Sequence, residues 1–135
     1  MKPSTMRRAY QREAFVAIVL ARLVVRFVPA ARIFAWANRP ARRVNRFAAN
    51  ETRWISWAVD RVAARPWMNA LCLPRALATH SMLRRRGITS QLCLGVARED
   101  QALVAHAWLE IGENRIVLDP EIDRFTPLAR FGGTG

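Results

Sequence analysis

The chain has 135 residues, with 22 Lys and Arg against 10 Asp and Glu, and two cysteines. An apolar content of 52% with five Trp and six Phe excludes a disordered chain, and two cysteines exclude a disulfide-dense secreted miniprotein and a four-cysteine zinc site. The net charge of +12 points toward nucleic acid, but its distribution argues otherwise. Residues 1–65 carry fourteen basic residues against Glu13, Glu51 and Asp60, a net +11, whereas residues 66–135 carry eight Arg against seven acids, a net +1. With no helix-turn-helix, finger or RNA-binding signature, nucleic acid is not an expected partner.

Taken from the N-terminus, Phe15–Trp36 is the most apolar stretch. Arg22, Arg26 and Arg32 interrupt it and Pro29 breaks or kinks a helix, so it does not read as a membrane span. A signal peptide is the sharper rival, with a basic Met1–Arg12 and an apolar Ala14–Ala21, but Arg22 and Arg26 follow too closely. The better reading is an amphipathic helix. At 100° per residue Arg8, Arg12, Arg22 and Arg26 fall within about an 80° sector. The other faces carry Phe15, Val16, Ile18, Leu20, Leu23, Val24 and Phe27. Such a helix packs on a domain with a solvated Arg stripe, or lies against a membrane surface. Asn38-Arg39-Pro40 reads as a turn, and Arg42–Asn50 as a short basic helical segment. Asn50 then caps a second amphipathic run through Trp54, Ile55, Ala58, Val59 and Val62, which Pro66 ends.

From Pro66 onward the pattern changes. Leu73, Ala76, Leu77, His80 and Leu83 have helical spacing. Pro74 is tolerated only in a first turn, so the helix starts near Leu71–Leu73, and Gly87 follows its end. The period then becomes two. Gln91–Ala97 and Leu103–Ile111 read as strands joined by the charged turn Arg98-Glu99-Asp100-Gln101, and Arg115–Asp119 as a third after a turn at Gly112–Asn114. The class is α+β: a helical, arginine-rich region at residues 1–65, then a helix and an antiparallel meander at residues 66–135.

The reactive residues fall on these elements. Cys72 sits at a helix start, where the dipole and N–H groups favour a thiolate. His106 lies mid-strand on the face carrying Val104, Trp108 and Glu110, opposite the aliphatic Ala105, Ala107, Leu109 and Ile111. A two-residue turn at Glu113-Asn114 pairs Trp108 with Asp119, which makes Asp119 and His106 diagonal neighbours on one face. Cys72, His106 and Asp119 then form a nucleophile, a base and an orienting carboxylate. Glu110 is the rival carboxylate on the strand face of His106. Asp119 is preferred because side chains along one strand face point away in parallel. Against this stands the bland reading, in which a lone Cys is a small buried hydrophobe and a lone His is structural. Cys93, between Leu92 and Leu94, fits that reading. His80 is two helical turns from Cys72, about 12 Å along the axis, and reads as structural. Cys72, Cys93, His80 and His106 lack the ligand spacing of a zinc site, so neither metal nor cofactor is expected.

The segments Cys72-Leu73-Pro74-Arg75-Ala76-Leu77, Leu83-Arg84-Arg85-Arg86-Gly87, Leu94-Gly95-Val96 and Ala105-His106-Ala107-Trp108-Leu109-Glu110 together resemble a known family. They are similar to the transglutaminase-like cysteine proteases of lasso-peptide biosynthesis, which remove the leader from a precursor peptide. The resemblance covers about residues 66–131. It implies a papain-like core of one catalytic helix on a small antiparallel sheet. It also implies a Cys72–His106–Asp119 triad that attacks the leader–core junction. Some members carry a strand-rich leader-recognition domain ahead of the catalytic part. Here residues 1–65 read as helical, which matches the split form. That form implies a separate leader-recognition protein, a macrolactam cyclase acting on the released core, and a cytoplasmic enzyme whose N-terminal helices contact a membrane surface or a partner. Family precursors commonly carry Thr two residues before the cut. Trp108, on the site face, is a candidate substrate contact, with a core role as its alternative. Two other classes share the features: a transglutaminase-like acyltransferase using the same triad, and a non-catalytic membrane-associated adaptor acting through the Arg-rich helices.

Overall fold

The computed structural model describes residues 3–39, 49–66, 68, 71–111, 116–117 and 122–132. Four helices come first: α1 (Pro3–Phe27), α2 (Ala30–Ala37), α3 (Ala49–Ala63) and α4 (Cys72–Arg85). A four-stranded antiparallel sheet follows, with β1 (Ser90–Glu99), β2 (Ala102–Ile111), β3 (Ile116–Val117) and β4 (Thr126–Gly132) in the order β3-β2-β1-β4. The architecture is α+β, as the sequence implies.

The helix boundaries follow local chemistry. The break between α1 and α2 falls at Val28-Pro29, because proline cannot continue the hydrogen-bond ladder. The α3 helix begins at Ala49, so Asn50 lies inside its first turn and is not its cap. It stops at Ala63, three residues before Pro66. The end of α4 is closed by Gly87 at φ 75°, with Gly87 N–H donating to Arg84 C=O and Ile88 N–H to Leu83 C=O. That paired closure uses the left-handed conformation glycine adopts without strain. The basic segment expected at Arg42–Asn50 lies outside the described residues up to residue 48.

Both compositional halves share one hydrophobic core. It combines Ala14, Ile18 and Ala21 of α1, Ile55, Val59 and Val62 of α3, Leu77, Met82 and Leu83 of α4, and Leu92, Ala107 and Leu109 of the sheet. The α1 helix turns its small residues inward and leaves Val16, Leu20, Leu23 and Phe27 exposed. Only Ile18 among the large apolar residues expected around that helix is fully buried. Arg8, Arg12, Arg22 and Arg26 are exposed, as a solvated stripe requires.

Two anchors set α1 antiparallel to α4. Near one end both oxygens of Glu13 accept hydrogen bonds from Arg86, whose guanidinium also lies over Tyr10. That pairing holds the Glu13 carboxyl below its usual range. Near the other end Arg22 Nη1 donates to the Met68 carbonyl at 2.8 Å. Among the described residues, no helix is long and apolar enough to cross a membrane.

The β1–β2 connection is tighter than expected. Both strands run on until only Asp100 and Gln101 remain between them, with φ of 47° and 67°. This is the left-handed two-residue turn that matches strand twist. The β2–β3 register is the expected one: Glu110 pairs with Val117 and Ile111 with Ile116. The β4 strand was not foreseen. It pairs antiparallel with β1 and shifts register at Leu94/Gly95. Pro127 fits there because β4 is an edge strand.

Candidate active site

The two faces of the sheet differ in kind. On one, Leu92, Ala107 and Leu109 meet the helices in the core. On the other, strand pairing aligns Gly95 with His106, Cys93 with Trp108, and Cys93 with Arg130. His106 is therefore on the non-aliphatic face, as its alternation predicts.

Aromatic packing holds the imidazole there. His106 stacks on Phe125 at 4.7 Å between centroids and on Trp108 at 6.2 Å. Trp108 is 2% exposed. It forms the floor under His106 and presents almost no open surface, which weighs against its candidacy as a substrate contact. Its ring needs Gly95 beneath it: a Cβ on Gly95 would lie 2.6 Å from Trp108 Cη2 and 2.7 Å from the Thr126 carbonyl. Glu110, the rival carboxylate, is already engaged. Its Oε1 accepts from Trp108 Nε1 at 3.3 Å and its Oε2 from Arg130 Nη1.

Cys72 is the first residue of α4, half-buried and packed against the core. The preceding Leu71 offers no side-chain cap, and the first helical bond runs from Arg75 N–H to Leu71 C=O. Pro74 has no N–H. This end of the helix thus presents the Cys72 and Leu73 N–H groups without a capping side chain.

His80 anchors α4 to the sheet. His80 Nδ1 lies 2.6 Å from Ser90 Oγ, at the start of β1. Because α4 turns back into β1 through residues 86–89, helix and strand run in opposite directions. Cys72 is about 12 Å before His80 along α4. The α4 helix packs on both β1 and β2, so Cys72 and His106 belong to elements in contact. Beside His106, β2 is the sheet edge among the described residues, since β3 pairs only with Glu110 and Ile111. Asp119 lies outside the described residues.

The other two reactive residues are structural. Cys93 is fully buried, and burial, reinforced by Glu110, pushes its thiol up to about 11 against the opposing charge of Arg130. His80 is 3% exposed. Its Nε2–H donates to the Ala37 carbonyl at 3.2 Å, so Nδ1 accepts from the Ser90 hydroxyl. Burial, then the Arg84 charge, lowers His80 to about 4, keeping the ring neutral. It ties together α2, α4 and β1. Among the described residues, no group of three or more His, Cys, Asp or Glu could hold a metal ion.

Phe125 and Arg130 are the site-face residues the sequence reading passed over. Their signal was weak, because Pro127 interrupts the alternation that would mark β4.

Neither a curated protein nor a solved structure matches the chain. A family model described as the transglutaminase-like superfamily matches residues 14–130, from within α1 to within β4. A helix-start cysteine followed by a strand histidine thus sits within a matched span covering most of the molecule, and the chain belongs to the transglutaminase-like superfamily.

Proposed function

We propose that the protein is a cysteine peptidase that removes the leader from a ribosomally made lasso-peptide precursor, with Cys72, His106 and Asp119 as its triad. The carrying observation is a helix-start cysteine and a mid-strand histidine, on elements that pack together, within a matched transglutaminase-like span. The pairing of Glu110 with Val117 agrees with the hairpin register on which the choice of Asp119 rests. The engagement of Glu110 by Trp108 and Arg130 favours Asp119 as the orienting carboxylate.

In this reading the Cys72 thiolate attacks the scissile carbonyl, and the Cys72 N–H donates to the oxyanion. His106 gives its proton to the leaving amine, which becomes the new N-terminus of the core peptide. It then takes a proton from the water that hydrolyses the thioester, freeing the leader carboxylate and Cys72. Asp119 orients His106 and stabilises its protonated form. A separate recognition protein delivers the leader, and a cyclase closes the released core. The Arg-rich helices dock an acidic surface on the leader, its carrier or a membrane.

The test is mass spectrometry of the short precursor encoded nearest the gene, incubated with its recognition protein and this chain. Cys72→Ala is expected to abolish leader removal and leave the fold intact. Processing that survives Cys72→Ala would support the adaptor class, and transfer of the acyl group to an amine would establish the acyltransferase. Loss of activity in Glu110→Ala but not in Asp119→Ala would overturn the choice of carboxylate. Iodoacetamide should label Cys72 fast and the buried Cys93 slowly. Equally slow labelling of both would count against an available nucleophile.

A further inference from the structure

The C-terminal half of α1 and the start of α4 line an open groove of about 580 Å³. Leu23, Val25, Leu71 and Pro74 supply its apolar walls, and Arg22 and Arg26 its charge. Among the described residues, none that lines it is acidic. Leu71 and Pro74 flank Cys72 in the chain, so the groove borders the start of α4 that carries the proposed nucleophile. Leu71 is 74% exposed and Leu23 is also exposed, so both offer apolar surface to a ligand in the groove. Arg22 also holds the Met68 carbonyl, which fixes the segment leading into Cys72 against α1.

We infer that this groove is a substrate subsite that takes a peptide segment in which acidic residues alternate with aliphatic ones. The inference rests on the reading of Cys72 as the nucleophile and adds where the substrate lies and what chemistry it carries. The aliphatic walls bury apolar side chains, and the two guanidiniums pair with carboxylates. The groove is open along its length, which suits an extended peptide lying on the surface. A second copy of this chain is the wrong occupant, because residues 1–65 carry net +11 and two such surfaces repel. Arg26 is exposed and does not belong to the triad, so it is the residue to change.

The experiment is a footprint on Cys72. The intact protein is alkylated with iodoacetamide in the presence of one of two acetylated, amidated pentapeptides, Leu-Glu-Leu-Glu-Leu or Leu-Lys-Leu-Lys-Leu. The rate at each cysteine is read by peptide mass spectrometry. The acidic peptide is expected to slow Cys72 labelling, with an apparent affinity about fivefold or more above that of the basic one. Arg26→Glu should remove that preference, and added salt should weaken it. Arg8→Glu makes the same charge change on the same helix away from the groove and should retain the preference. Slow labelling of Cys93 in every variant shows that the fold persists. Equal protection by both peptides, absence of protection, a preference unchanged in Arg26→Glu, or equal loss in Arg8→Glu would each overturn the groove. Failure of the nucleophile reading is read separately: processing that survives Cys72→Ala refutes it even where the acidic peptide still protects Cys72.

Discussion

The two faces of the sheet obey different rules. The aliphatic face, with Leu92, Ala107 and Leu109, is covered by α4, which packs in turn on α1 and α3. There burial in bulk supplies stability, and many residues of similar size would serve. Among the described residues, the other face has no such helical cover. It is held by a few specific contacts: Trp108 on Gly95, Phe125 and Trp108 on His106, and Arg130 on Glu110. Stability comes from the first face. The orientation of one imidazole comes from the second.

The sharpest test of that division is Leu109→Ala. Leu109 is 2% exposed, and its truncation should cost about 3 kcal/mol in denaturant unfolding. Processing per folded molecule should be unchanged. A fall in specific activity beyond the loss of folded protein would break the division, because the aliphatic face would then be controlling the chemistry.

His80 gives the next largest effect, on the helical side. Above pH 6.5 its ring is neutral in both the folded and unfolded chain. Its folded value is lowered to about 4. Between those pH values the unfolded chain therefore takes up a proton that the folded chain refuses. Stability falls as pH falls through that window, by about 3 kcal/mol in all from this residue. Urea unfolding at pH 7, 5.5 and 4 should show the decline in the native protein and a flatter profile in His80→Gln. Equal slopes in the two proteins would show that His80 does not carry the linkage.

Gly95→Ala is the smallest in stability and the most informative about the aromatic face. The added Cβ meets the Trp108 ring and the Thr126 backbone, so overpacking should cost about 2 kcal/mol. Trp108 must move, and His106 stacks on it. Processing per folded molecule should therefore fall in Gly95→Ala while it holds in Leu109→Ala. The opposite ranking would overturn the assignment of roles to the two faces.

Much of this was legible without coordinates, and the reason is locality. Pro29 breaks a helix and Gly87 closes one because each restricts or frees its own backbone. The pairing of Glu110 with Val117 is the one expected from the sequence, since a hairpin register is set by its loop length. Cys93 and His80 read as structural because their neighbours in sequence already made a buried strand face and a helix body. The errors lie where a partner is distant. Asn50 looked like a cap, yet α3 starts at Ala49. The apolar residues of α1 looked like core, yet the helix approaches α3 and α4 through Ala14, Ile18 and Ala21 and leaves larger side chains outside.

Strand β4 is the clearest instance. Its alternation is blurred by Pro127, and it pairs with β1 about thirty-five residues earlier, skipping its nearer neighbours. Nothing local specifies that closure, yet it sets Arg130 beside Cys93 and Phe125 against His106. Local stereochemistry in the sequence decides where helices and hairpins begin and end, and so puts a cysteine at a helix start and a histidine at mid-strand. Which face each side chain meets, and what holds it there, is decided by the packing of segments far apart in the chain. Those contacts exist only once the whole core has closed.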